Sequence, residues 1–259
     1  MNRQQLRTDF KKFQQRRELL WAGRIRKALQ AQVKFWIDTY GMKPTNTDLI
    51  QLDYAPIYNV LLALYLDAGT VWGAKIYSTL PKVAVKARMP IGLSEFLIQA
   101  IKDYFDIDLL NDVQDISDTT RKQIIEALKQ AAERGFGVDD TIKLMYSLAA
   151  NPVRARLIAR TETVTAANKG AALAADKTGL LLQKTWIAAT DNRTRPDHRE
   201  VNGTTIDGDE FFTVGPDKMK QPGDRGEQGN RTSAKNICNC RCVVGYEGKR
   251  DANGRLIRR

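Results

Sequence analysis

The residues here that could hold a soft metal ion are few and lie close together. Cys238, Cys240 and Cys242 are the only cysteines, in the run Asn236-Ile237-Cys238-Asn239-Cys240-Arg241-Cys242, and the only histidine, His198, stands upstream of them. Three sulfurs and one imidazole equal in number the ligands of a closed structural zinc site. On an extended strand the three cysteines would share one face, about 6–7 Å between neighbours. Sulfurs on one zinc sit closer than that, because Zn–S bonds are about 2.3 Å. The backbone must therefore turn inside the motif if two of them share a metal, and Asn236 and Asn239 suit such a turn. The C-x-C spacing is not the usual C-x₂₋₄-C of zinc sites. The competing reading keeps the cysteines as small buried side chains on a strand and His198 as a hydrogen-bonded or surface side chain.

Catalytic patterns are sparse. His198-Arg199-Glu200 satisfies the H-x-E of zinc deaminases, but those enzymes need a C-x-x-C downstream, and none exists here. There is no G-x-x-x-x-G-K-[ST] loop, no G-x-S-x-G elbow and no H-E-x-x-H. With a single histidine, no spacing singles out a nucleophile. A non-enzymatic protein is the expectation. The runner-up is a metal-dependent nucleic-acid-processing enzyme using His198 and Glu200. A zinc ribbon that binds DNA ranks last, because only Arg241 and Tyr246 flank the cysteines.

Charge is distributed unevenly. Residues 1–36 carry ten Lys/Arg against Asp9 and Glu18, whereas residues 37–150 hold fifteen acidic groups against eleven basic ones. The last eleven residues are basic again, so an overall net charge of +11 hides two basic ends around an acidic middle. A basic end reads equally as a polyanion contact or as a solvated helix face. If the contact is DNA, Arg3, Arg7, Lys11, Lys12, Arg16 and Arg17 are the candidates. No apolar run is long enough to span a membrane, and the polar N-terminus has no secretory core. Three cysteines packed this way do not resemble a secreted disulfide framework, which favours a reducing cytoplasm during synthesis.

Long helices and short strands have to position these groups. Residues 3–39 predict a helix with Leu6, Phe10, Phe13, Arg17 and Leu20 on one face. A second helix is expected from Ile50 to about Tyr77, capped by Thr47 or Asp48 after Pro44. Beyond Pro81 and Pro90, further helices are expected from Ser94, from Ser117 to Arg134 with Thr119 or Thr120 as cap and Gly135 as terminator, and from Gly137 to Asn151. A long helix follows from Val153 towards Gly179. Composition then shifts to strands at 180–189, 204–206 and 211–214, with a short helix at 195–201. Residues 215–235 read as a loop, 236–246 as extended chain, and the end as a disordered tail. The fold class is α+β: an all-helical N-terminal region at 1–150, a small α/β C-terminal domain at 151–248 with short antiparallel strands and an irregular cysteine segment, and a basic tail at 249–259.

One family pattern runs through the second half. It consists of Ile158-Ala159-Arg160-Thr161-Glu162, Trp186-Ile187-Ala188, Asp191-Asn192-Arg193-Thr194-Arg195-Pro196-Asp197-His198, Gly203, and Asn239-Cys240-Arg241-Cys242. In this order it closely resembles the C-terminal domain of the phage Mu F-like head morphogenesis family, minor head proteins of tailed bacteriophages, over about residues 150–246. The resemblance implies a minor capsid protein that associates with the portal protein, is packaged in the head interior during procapsid assembly in the host cytoplasm, and in some relatives contacts the genome. Cys238 departs from the family pattern, which has an apolar residue there. A site of His198, Cys240, Cys242 and an oxygen such as that of Asp191 is therefore the alternative to the four-ligand zinc set. Arg160 and Glu162 are expected to be charge partners that fix the long helix against the 191–198 turn. Asp191, Arg193 and Arg195 are expected to form a hydrogen-bonded turn, with the Asp191 side chain capping backbone N–H groups.

Overall fold

The computed structural model describes residues 2–42, 50–81, 92–227 and 230–259, apart from the side chains of 107 and 108. The expectations at Pro44, Thr47, Asp48 and Pro90 lie outside the described residues. Six long helices come first: α1 (Arg3–Tyr40), α2 (Ala55–Thr79), α3 (Leu93–Asp108), α4 (Leu110–Glu133), α5 (Val138–Ala149) and α6 (Pro152–Asp176). Then follow β1 (Leu182–Ile187), α7 (Pro196–Glu200), β2 (Thr205–Asp207), β3 (Phe212–Val214), β4 (Asp217–Met219), β5 (Gly226–Glu227), β6 (Asn230–Arg231), α8 (Ala234–Ile237) and β7 (Val243–Gly248). Strand β1 is the centre of an antiparallel sheet of order β2-β1-β7. The α+β class holds: helices, then short antiparallel strands.

The chain forms two compact units that are discontinuous in sequence. One gathers residues 1–18, 64–104 and 160–259, the other 19–63 and 105–159, so the divisions fall inside α1, α2, α3 and α6.

In the first unit, Leu6, Phe10 and Phe13 of α1 are buried, and both phenylalanines pack on Trp72 of α2 with ring centroids about 5 Å apart. Leu20, which lies in the second unit, is 48% exposed while its neighbour Trp21 is buried, against the sequence expectation. A 3/4 repeat averages 3.5 residues while the helix turns every 3.6, so a buried stripe drifts along a helix this long. Helices α2 and α6 meet backbone to backbone: a Cβ on Gly170 would lie 2.1 Å from the carbonyl oxygen of Gly69.

In the second unit Val33, Trp36, Ile124, Ala127, Met145 and Ala149 form the core. Arg154 joins three helices: its guanidinium donates to the carbonyls of Ile116 and Ala149 and to the Thr120 hydroxyl. Burial pulls its pKa down to about 10, so it stays charged at neutral pH and complements the carbonyl end of α5.

Several boundaries differ from the sequence reading. Helix α2 starts at Ala55, not Ile50, because the Asp53 carboxylate accepts the Ala55 N–H at 2.9 Å and Pro56 suits a first turn. Helix α4 starts at Leu110, so Thr119 and Thr120 are no caps; their hydroxyls bond carbonyls one turn back. Gly135 does end the helix, with φ +66°. The 215–235 stretch is not a plain loop. The β3–β4 hairpin buries Phe212, Val214 and Met219, and the Asp217 carboxylate accepts bonds from Ser233 and Asn236. Strand β3 falls within the expected 211–214, but β4 contributes a single buried apolar residue, Met219, which left little signal for the hairpin. Only Val243 onward is strand; 236–242 contains the end of α8 and a turn. The C-terminal segment is ordered rather than disordered: Leu181 N–H donates to Ile257, and Lys249 N–H to Leu181, pairing the end of the chain with the start of β1.

Lys184 of β1 is 3% exposed, its ammonium 5.6 Å from the centre of the Phe212 ring. Burial brings its pKa down to about 8. The natural protein bears the full desolvation cost below that pH. The cost is relieved as pH rises from 8 towards the unfolded value near 10.5, because the folded lysine loses its proton first. Lys184→Met is therefore expected to stabilise the protein by on the order of 2 kcal/mol at pH 7, and by less at about pH 9–10. Urea unfolding at both pH values checks this, and a destabilised variant at pH 7 would contradict it.

Candidate metal centre

Two segments carry the ligand-type side chains. The first leaves β1 and turns at Thr190, where φ is +56°. Asp191 organises this turn: its carboxylate accepts the Arg193 N–H at 3.1 Å and the Thr194 hydroxyl at 3.2 Å. Pro196 then opens α7, which presents His198 to the interior at 2% exposure. Gly203 N–H donates back to the Trp186 carbonyl and Ala188 N–H to the Asn202 side chain, closing the excursion onto β1.

The second segment follows α8. Asn239 adopts φ +61°, which asparagine tolerates, and its N–H donates to the Thr161 hydroxyl of α6 at 2.8 Å. This left-handed residue is the turn that the C-x-C spacing requires. Cys240 and Cys242 are each 2% exposed. Asn168 of α6 fixes the strand beyond them, donating to the Cys242 carbonyl and accepting the Val244 N–H.

The two segments converge. His198 Nδ1 lies 3.4 Å from Cys242 Sγ and 3.7 Å from Cys240 Sγ, and the three ligand atoms all lie within 4.8 Å of one another. Cys238 is not in the group, nor is Asp191. Arginines bind the two segments outside the cluster: Arg241 makes a two-pronged ion pair with Asp191, and Arg195 donates to the Cys238 carbonyl. Arg241 holds the Asp191 carboxyl well below the usual range. The Cys242 hydrogen bond and His198 push Cys240 towards thiolate, and Cys242 is raised correspondingly. Trp186 stands edge-on to His198 at 5.6 Å and walls the site. Arg193 is a surface side chain. Buried sulfur and imidazole donors at this separation fit a divalent zinc-type ion.

Arg160 and Glu162 are charge partners, but not of the 191–198 turn. Arg160 pairs with Glu18 of α1 at 2.7 Å and donates to the Asn239 side chain. Glu162 accepts Arg225 at 2.8 Å and the Tyr65 hydroxyl at 2.8 Å. Alternating helix positions point in different directions, so the two charges serve different neighbours. Glu18 carried a signal, as one of two acids among ten basic residues; Arg225 carried none.

Residues 122–245 match the family model described as Phage Mu protein F like protein. That segment, a little under half of the chain, is similar to the phage Mu F-like family. It starts inside α4, well before residue 150, where the motif resemblance begins. A relative, Minor head protein GP7 of Bacillus phage SPP1, is 33% identical over 126 residues, covering 48% of this chain and 39% of that protein. The chain thus spans about two fifths of the length of the curated relative it matches. No solved structure matches it at comparable stringency. The matched segment contains the whole His198–Cys240–Cys242 cluster, Arg160, Glu162, Trp186 and the Asp191 turn.

Proposed function

We propose that this chain is a phage minor head protein of head morphogenesis. Its phage Mu F-like segment is a docking element for the portal protein in the head interior, its basic first helix touches packaged DNA, and it joins the particle from the host cytoplasm. Zinc at His198 and the cysteine arm is its cofactor. The observation that carries this reading is the buried cluster itself: a 2%-exposed imidazole, sealed with two sulfurs and clamped by Arg241–Asp191, suits a rigid surface rather than a reaction centre. Glu200, which the nuclease-type reading needs, is exposed and outside the group. The family and the relative's name support a role in the head.

The six candidate DNA-contact residues of the first helix divide. Arg3 and Arg7 donate to Thr205 and Thr190 of the same unit, and Arg17 pairs with Asp67. Lys11, Lys12 and Arg16 are exposed and are the proposed phosphate contacts. Binding to duplex DNA should weaken steeply with salt, since phosphate neutralisation releases counterions. Replacing Lys11, Lys12 and Arg16 together with alanine should lower the log–log salt slope by about one for each phosphate no longer neutralised. Salt-independent binding, or an unchanged slope in the triple variant, would remove DNA from the reading. Co-purification of the full chain with portal rings tests docking, and its absence from both portal fractions and particles would sink the head role.

A further inference from the structure

We infer that the metal centre uses three protein ligands, His198 Nδ1, Cys240 Sγ and Cys242 Sγ, and keeps its fourth position for a small exogenous ligand. This rests on the zinc reading above and deepens it by naming the ligand set and the exchangeable position. Cys238 and Asp191, each of which could complete a set of four on sequence grounds, are excluded.

Distances carry the first half of the inference. With Zn–S near 2.3 Å and Zn–N near 2.0–2.1 Å, tetrahedral angles place nitrogen and sulfur about 3.5 Å apart. The imidazole nitrogen stands 3.4 Å and 3.7 Å from the two sulfurs, close to that separation, and all three atoms lie within 4.8 Å of one another. The left-handed turn at Asn239 is what brings two thiols of a C-x-C pair to one ion. Two thiolates and an imidazole suit a borderline-soft divalent ion such as zinc over a hard one such as magnesium or calcium.

The second half follows from what the remaining candidates do instead. Cys238 precedes the turn and is only half-buried, with its carbonyl accepting from Arg195. Both carboxylate oxygens of Asp191 face Arg241, and Oδ1 also serves Arg193 and Thr194. Among the described residues no other His, Cys, Asp or Glu joins the group. A zinc ion with three protein ligands leaves its fourth position to water or another small ligand. The buried setting limits that ligand to something the size of a water molecule or a small anion.

The test uses the full chain, purified without chelator, with zinc measured per chain and cobalt(II) substituted for spectroscopy. The expected result is one zinc per chain in the natural protein and in Cys238→Ser, and loss of zinc in Cys242→Ser. The cobalt form should show tetrahedral bands, a charge-transfer intensity of two thiolates that Cys238→Ser leaves unchanged, and a shift of the visible bands on adding azide. If Cys238→Ser loses its zinc or its charge-transfer intensity, or if azide shifts nothing, the three-ligand assignment is overturned while zinc binding stands. If the natural chain binds neither zinc nor cobalt, the zinc reading itself falls. Should Cys242→Ser fail to fold, the Cys238→Ser and azide arms still decide.

Discussion

Replacing Glu162 with alanine is expected to cost about 3–5 kcal/mol of unfolding free energy. The Glu162 and Arg225 side chains are 5% and 12% exposed, and both carboxylate oxygens of Glu162 accept from the same Arg225 nitrogen. Oε2 also accepts the buried Tyr65 hydroxyl. Removing the carboxylate takes a two-oxygen counter-charge from a largely buried guanidinium and an acceptor from the buried Tyr65 hydroxyl, and losing both away from water makes the cost large. Glu162→Gln should fall between, since it keeps one acceptor and gives up the charge. A double replacement of Glu162 and Arg225 by apolar residues of similar volume should recover much of the loss, because a buried ion pair is itself desolvated at a cost. Urea unfolding of the four proteins measures this. A Glu162→Ala loss below about 1 kcal/mol would show that Arg225 finds solvent instead.

Gly170→Ala is expected to destabilise by about 3 kcal/mol or more. The added methyl carbon would sit 2.1 Å from the Gly69 carbonyl oxygen and 2.6 Å from the Gly69 Cα, which are backbone atoms that no rotamer change can move. Helices α2 and α6 would have to separate, and the Tyr65–Glu162 hydrogen bond spans the same pair of helices. Gly23→Ala in α1 is the control: nothing lies within 4 Å of its Cβ position, so helix propensity alone should stabilise by roughly 0.5–1 kcal/mol. Opposite signs for the two variants in thermal unfolding are the expected result. A neutral Gly170→Ala would mean that the two helices do not meet at this point.

The helices were largely legible because they announce themselves locally. Residues 3–40 lack proline and hold one glycine, Gly135 takes the left-handed conformation that stops α4, and Pro152 and Gly179 bracket α6. Strand β3 was legible at 211–214, but its partner β4 was not: β4 adds only Met219 to the core and is set among glycine, proline and charge. The end of the chain looked disordered because it is basic and lacks a hydrophobic run, yet it pairs with residues 179–181 through backbone groups that leave no trace in side-chain composition. Helix α4 was placed too late because Thr119 and Thr120 resemble caps, and only their bonds to the previous turn reveal an interior position.

For the candidate site, the sequence alone determined the inventory: one imidazole, three thiols, and a C-x-C that must bend if two thiols are to share an ion. Local physics sufficed for the Asp191 turn, whose carboxylate accepts from its neighbours Arg193 and Thr194, whereas the left-handed Asn239 is also tied to Thr161 and Arg160 of α6. Only the tertiary structure decided which thiols meet His198, that Arg241 rather than Arg193 takes Asp191, and that Arg160 and Glu162 look to Glu18 and Arg225. Those choices join residues 42 to 142 positions apart. Which distant charge or sulfur arrives depends on how α1, α6 and the cysteine arm pack, and no local propensity records that.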